Sequence, residues 1–285
     1  MPSERLKRFS SLACCLTVVF CCCEPCALLA QRTEIVIAPV SQQVIIQRLQ
    51  RLRKKNAERE IELSTIFHEA GCETDQLREQ VVRCNDPPNV ICTLPGSTNS
   101  LIIVAAHFDH ADAGMGAVDD WSGASLLPSL YQALRDVPRG HTFVFIGFTD
   151  EEDGLLGSNY YVKHFPKDQR ATIEAVVNLE CLGLQPTKVW AHVANEGLLN
   201  ALVIVANALH AKLGAVNVEQ FANDDTQAFR SKGLPVITLH SVSRDTLPSV
   251  HSSRNNNLAA IHVNDLYESY RLTSEYLAYL DTRLN

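Results

Sequence analysis

The runs LIIVAA at 101–106, TFVFIGF at 142–148, AVVNL at 175–179 and PVITLH at 235–240 are mostly apolar, without polar residues in alternation. A strand with one wet face alternates polar and apolar residues, so continuous runs describe strands covered by helices on both faces. On this signal, strands are placed at 89–94, 101–107, 142–148, 175–182, 188–193 and 235–240. Helical spacing fills the intervals at 122–135, 157–165, 196–212 and 225–232. Gly214 and Gly233 sit where helices should stop. A last helix starts at Asn264 and carries Leu266, Tyr270, Leu277, Leu280 and Leu284 on one stripe. Upstream, 44–70 sets Ile45, Ile46, Leu49, Leu52, Ile61, Leu63 and Ile66 around a charged centre, and it reads as one long helix or two short ones. The alternation predicts an α/β fold, a three-layer α/β/α sandwich with a mixed, largely parallel central sheet.

A chain of 285 residues, 46% of them hydrophobic, can fill one complete core, so a single domain over 31–285 is expected. Its formal net charge is −7, and its only basic block is RLRKKNAER at 51–59, which reads as one helix face. Nucleic acid is therefore excluded as a partner. Residues 1–30 differ from the rest. Arg5, Lys7 and Arg8 precede the uncharged run LACCLTVVFCCC, which stops at Glu24 and Pro25. That is the layout of a secretory signal peptide, and the run is shorter than the roughly 20 apolar residues a membrane span needs. Cleavage near Ala30 would release a secreted or periplasmic domain; an uncleaved leader would keep it at a membrane. Six of the ten cysteines fall in this leader, leaving Cys72, Cys84, Cys92 and Cys181. A bridge such as Cys72 to Cys84 suits an exported chain, but spacing assigns no pairing. Cys181 reads as a small buried residue in a strand.

In folds of this kind ligands collect beyond the carboxyl ends of the strands. There LIIVAA runs into His107 and Asp109, TFVFIGF into Thr149-Asp150-Glu151-Glu152, AVVNL into Glu180, and the run after Pro235 is followed by His251. Carboxylates gathered at one place raise each other's pKa, and a divalent cation removes that cost. Imidazole with carboxylate suits zinc, and two histidines with three or four carboxylates can serve two ions about 3.5 to 4 Å apart. The stretch HFDHADAGMGAVDD at 107–120 can thus supply a terminal imidazole, a carboxylate to orient it and a bridging carboxylate.

The segments HFDH, GAVDDWSG, TDEEDGLLGSNYY, VVNLECLG and VHSS resemble, in order and spacing, the motifs of the M28 zinc aminopeptidases, over a span of about 88–280. The resemblance implies two zinc ions bridged by Asp119, one completed by His107 and Glu180, the other by Glu152 and His251. It makes Glu151 the general base and Asp109 the carboxylate that holds the His107 ring, and it implies a cis bond between Asp119 and Asp120. His240 and His262 compete with His251 for the last ligand place. His68, His110, His164 and His210 are expected at the surface, and Asp150 and Asp153 beside the site without binding metal. The sequence departs from the family in having Glu180 where Asp is usual, Trp121 where a small or amide residue is usual and could narrow the site, Thr226 in place of His within NDDTQAF, and Asn255 in place of Asp. The function implied is a monomeric exopeptidase that removes residues from peptide and protein N-termini. Two alternatives stand beside it: a single-zinc glutaminyl cyclase, whose acidic pair Asp224-Asp225 resembles, and a non-catalytic binding module on the same fold.

Overall fold

Within the residues described by the computed structural model, 36–111, 114–217, 223–250 and 253–284, eight strands form one sheet. They are Leu77–Gln80 (β1), Asn89–Leu94 (β2), Leu101–His107 (β3), Thr142–Phe148 (β4), Ile173–Glu180 (β5), Lys188–Val189 (β6), Gly214–Ala215 (β7) and Val236–His240 (β8). Their order is β1-β2-β4-β3-β5-β8-β6-β7. Pairs β4–β3, β3–β5, β5–β8 and β6–β7 are parallel, whereas β1–β2, β2–β4 and β8–β6 are antiparallel. The expected leader at 1–30 and the candidate ligand His251 lie outside the described residues. No described helix is long and apolar enough to cross a membrane.

The helices are Gln42–Leu49 (α1), Asn56–Glu69 (α2), Ser122–Ala124 (α3), Leu127–Arg135 (α4), Leu156–His164 (α5), Glu196–Ala208 (α6), Thr226–Arg230 (α7), Leu247–Val250 (α8) and Val263–Arg283 (α9). Adjacent strand residues face opposite ways, so each unbroken run feeds two cores. Ile102, Val104, Ala175, Val177 and Leu179 point into a large cluster with α1, α2, α4, α6 and α9. Ile103, Ala105, Val144, Ile146 and Val176 point into a second one with Tyr161 and Val162 of α5 and Phe229 of α7. This is the three-layer sandwich the apolar runs predict.

The 44–70 segment is two short helices, one of its two expected readings, while several other boundaries differ from expectation. Arg51 leaves α1 to meet Glu62 and Glu69, and Arg53 donates to Glu62 Oε2 at 2.7 Å, so ion pairs fix the turn between them. The helix at 122–135 is interrupted, with Pro128 in the first turn of α4, where its missing amide cannot continue a ladder. The strand at 188–193 pairs regularly over only two residues. β1 is mostly polar, with its two middle residues exposed and its ends half-buried, β7 is two residues long, and neither carries an apolar signature; Gly214 begins β7 instead of stopping α6. Leu284 falls just beyond α9.

The disulfide joins Cys72 to Cys92, and Cys84 is exposed and free. Cys92 is fully buried in β2, under the end of α2, where Cys72 is also buried, so the packing of helix on sheet selects the partner. Cys181 is buried as expected but lies one residue past the end of β5, with φ of +49°.

Candidate metal centre

Parallel register brings the carboxyl ends of three strands together: His107 is the last residue of β3 and pairs with Phe148, the last of β4, while Glu180 closes β5. The loop after β4 is held from below by Asn89, whose Oδ1 accepts the amide of Thr149 at 3.1 Å and whose Nδ2 donates to Gly157 O at 3.1 Å. The β-edge chemistry therefore rests on a buried amide at the start of β2.

The His107 ring is 1% exposed and faces carboxylates on both sides. Nε2 lies 3.1 Å from Asp119 Oδ1 and 3.6 Å from Glu180 Oε1, and Nδ1 lies 3.3 Å from Asp109 Oδ1. Burial opposes protonation of this ring, but Glu151, Glu180, Asp109 and Asp119 together push its pKa well above the ordinary imidazole value. Asp109 also accepts the amides of Glu151 and Glu152, at 3.1 and 3.2 Å. The Glu152 carboxylate accepts the Ala111 amide at 3.3 Å.

Asp119 lies in an irregular turn at Ala117–Trp121, and the Asp119–Asp120 peptide bond is cis, as the resemblance implies. Asn256 organises this turn. Its Oδ1 accepts the amides of Val118 and Asp119 at 2.8 and 3.1 Å, and its Nδ2 donates to Asp119 O at 3.2 Å. The Asp120 side chain, which the sequence presents only as the second half of a dipeptide, is fully buried. Its Oδ1 accepts Gly123 N and Cys181 N, both at 3.0 Å, and so ties the start of α3 to the end of β5. Trp121 does not narrow the site: its indole is buried in the core and donates to Leu49 O at 3.0 Å.

The acids are mutually unfavourable. Burial raises Glu180 to about 7, with Asp119 and Asp224 adding repulsion and His107 opposing it. Burial also lifts Glu151 and Asp120 well above the carboxylate range, with like charges including Glu180 and Asp119 contributing to both. Asp225, at the start of α7, is raised to about 8 by burial, with His107 opposing and Glu180 and Asp224 contributing. Asp224 is instead engaged by the Thr226 amide at 2.9 Å and by the hydroxyls of Thr226 and Thr238, so Thr226 serves the loop. Two sets of donor atoms come within 4.8 Å of one another among the described residues: His107, Asp120 and Glu180, and Asp119, Glu180 and Cys181. The Cys181 thiol donates to Glu180 Oε1 at 3.3 Å. Buried acids converging on an imidazole, with Glu180 Oε2 and Asp120 Oδ2 buried and without hydrogen-bond partners among the described residues, fit a divalent cation.

The structure thus brings His107, Asp109, Asp119 and Glu180 together, with Glu151 and Glu152 at the adjoining turn. The competing histidines point elsewhere. His240 Nε2 faces Val216 O at 3.1 Å, and His262 is exposed, 3.4 Å from Asp265. His68, His164 and His210 are exposed, whereas His110 is half-buried, with Nε2 2.7 Å from Lys54 O. Asp150 is buried beside the site and Asp153 pairs with Arg83 at 3.2 Å. Asn89, Asp120, Asp225 and Asn256 were not singled out as site residues by the sequence. Asp120 lies within the motif GAVDDWSG and Asp225 within the acidic pair at 224–225, whereas Asn89 and Asn256 stand in none of the quoted motifs.

Comparison with known proteins bears on the fold and the family. An aminopeptidase of Bacillus subtilis, YwaD, is 27% identical over 165 residues, which is 56% of this chain; the chain spans only 35% of the length of that relative. Among solved structures, the LapA aminopeptidase of Legionella pneumophila superposes with a TM-score of 0.77 at 17% identity, covering 86% of this chain and 73% of that one. A glutaminyl cyclase from an Acidobacteriales bacterium gives 0.72 at 18% identity and covers 89% of this chain and 100% of its own. At these identities the superpositions establish the shared fold. The model of Peptidase family M28 matches residues 89–276, well over half of the sequence and including the ends of β3, β4 and β5, and the chain belongs to that family.

Proposed function

We propose that the protein is a zinc-dependent aminopeptidase acting on peptide N-termini. The observation that carries this reading is the His107 ring set between Asp119 and Glu180 on one nitrogen and Asp109 on the other. That is the arrangement of a ligating imidazole with a carboxylate fixing its far side. His107, Asp119 and Glu180 would hold one ion; Asp119, Glu152 and His251 would hold a second. Zinc when bound supplies a Lewis acid for the scissile carbonyl and lowers the pKa of water from 15.7 towards about 7. Glu151 would take the proton of the attacking water and return it to the leaving amine. Its raised pKa suits a group that must be protonated and deprotonated in one cycle. The two hydrogen bonds from the Glu151–Glu152 backbone to Asp109 keep the base at a fixed place relative to the His107 ring. We place the enzyme outside the cytoplasm, in keeping with the leader composition and the Cys72–Cys92 bridge.

Asp225, buried beside the site, and the full coverage of a glutaminyl cyclase favour cyclisation of N-terminal glutamine over one zinc as the second reading. Zinc content of chelator-free protein, with a panel of aminoacyl-p-nitroanilides and an N-terminal glutamine peptide, separates the two. Close to two equivalents with anilide hydrolysis supports the aminopeptidase. One equivalent that added zinc does not raise, with ammonia released from the glutamine peptide, overturns it.

A further inference from the structure

Arg59 stands in the most basic stretch of the chain, and its neighbours Arg53, Lys54, Lys55 and Glu58 are exposed, yet Arg59 is 0% exposed. Burying a guanidinium is unfavourable unless its donors are satisfied. Among the described residues it makes no ion pair; it donates to carbonyls instead. Nε donates to Arg53 O at 2.8 Å, Nη1 to Phe108 O at 3.0 Å and Gly116 O at 3.4 Å, and Nη2 to Met115 O. Phe108 lies between His107 and Asp109, and 115–116 leads into the turn that carries Asp119. One planar fork therefore grips both ends of the loop that separates His107 from Asp119.

The opposite wall is built to admit the fork. Gly116 has φ of +54°, and a Cβ there would lie 2.9 and 3.0 Å from Arg59 Nη1 and Nη2 and 2.4 Å from the His110 Cβ. Asn256 grips the same segment from its other side: its carbonyl accepts the Met115 amide at 2.8 Å, and its side chain takes the amides of Val118 and Asp119. Burial lowers the Arg59 pKa to about 10, with Asp109 opposing, so the group stays charged at neutral pH.

We propose that Arg59 is a positioning residue that sets the separation of His107 and Asp119 by holding the carbonyls at both ends of their connecting loop. The proposal rests on the reading of these two residues as metal ligands. Arg59 itself precedes the family-matched segment at 89–276. A fork that spans several carbonyls cannot be replaced by the single ammonium of lysine.

The test uses the full chain as wild type, R59M, R59K and G116A. Zinc affinity is read by competition with a chromophoric chelator, folding by the thermal melt of metal-free protein, and catalysis as separate kcat and KM. Positioning predicts cooperative melts with zinc affinity lowered by about tenfold or more in R59M and G116A, the range for groups that orient a ligand. It also predicts a lower kcat with KM within about threefold, and R59K closer to R59M than to wild type. Wild-type zinc affinity in folded R59M overturns the proposal, as does full rescue by R59K, which would reduce the role to charge. Loss of a cooperative melt in all three variants also overturns it and assigns Arg59 to folding alone. Wild-type protein without zinc affinity removes the metal reading and this proposal together.

Discussion

Asp109 accepts the backbone amide of Glu151 at 3.1 Å through the same Oδ1 that lies 3.3 Å from His107 Nδ1. Its other oxygen takes the Glu152 amide at 3.2 Å. One carboxylate thereby couples the imidazole at the end of β3 to the acidic turn at the end of β4. Asp109→Asn keeps the shape but turns one acceptor into a donor. We expect zinc affinity to fall by about 10 to 100-fold in a chelator competition, with the metal-free melt still cooperative. Unaltered affinity would show that Asp109 serves only the turn.

Glu151 and Glu152 are assigned different work and should fail differently. Glu151→Gln should leave zinc content and KM near wild type while kcat falls by about 10² to 10⁴-fold. Glu152→Gln should lower zinc content first. Zinc analysis and anilide kinetics on both variants check this; the reverse pattern would move the register of the motif by one residue.

Glu180 occupies a place where the family usually has Asp, and Glu180 Oε1 already lies 3.6 Å from His107 Nε2. Glu180→Asp should keep activity within about tenfold, or 1.4 kcal/mol, whereas Glu180→Ala should lose one ion by plasma emission analysis. Equal tolerance of both changes would reduce Glu180 to a strand-end charge.

His240 offers a test by pH: it pairs in register with Glu180 across β5 and β8, but its ring Nε2 faces Val216 O at 3.1 Å. Burial lowers its pKa from 6.5 to about 4, with its bond to Val216 opposing. The fold therefore prefers the neutral ring, so its contribution is fully present above pH 6.5 and is lost as pH falls from 6.5 towards about 4. That loss amounts to about 3 kcal/mol. Denaturant unfolding of metal-free protein at pH 7 and pH 4 should show a smaller loss for His240→Gln than for wild type. The comparison cancels the titration of Glu180 and Asp225, which are common to both. Identical losses would show that His240 is not held neutral.

The order of the chain alone determined that its apolar runs become central strands, because a segment without polar alternation can be satisfied only between two helical layers. It also determined which polar residues stand at the rim, since His107 and Glu180 follow their runs directly, Glu151 and Glu152 come within four residues of theirs, and parallel pairing places those ends side by side. What it left open were the partners of the buried polar groups outside the recognised motifs. Arg59 meets Phe108 across 49 residues, Asn256 meets Val118 across 138, and Asp120 meets Cys181 across 61. Local sequence reports whether a face is apolar, but it does not report which distant carbonyl or amide will lie opposite a buried donor. The same holds for Trp121, turned into the core by Leu49 O, and for Cys72, which joins Cys92 because α2 ends over β2. Tertiary packing decided these contacts, because a buried charge or amide is stable only where the folded chain supplies its complement.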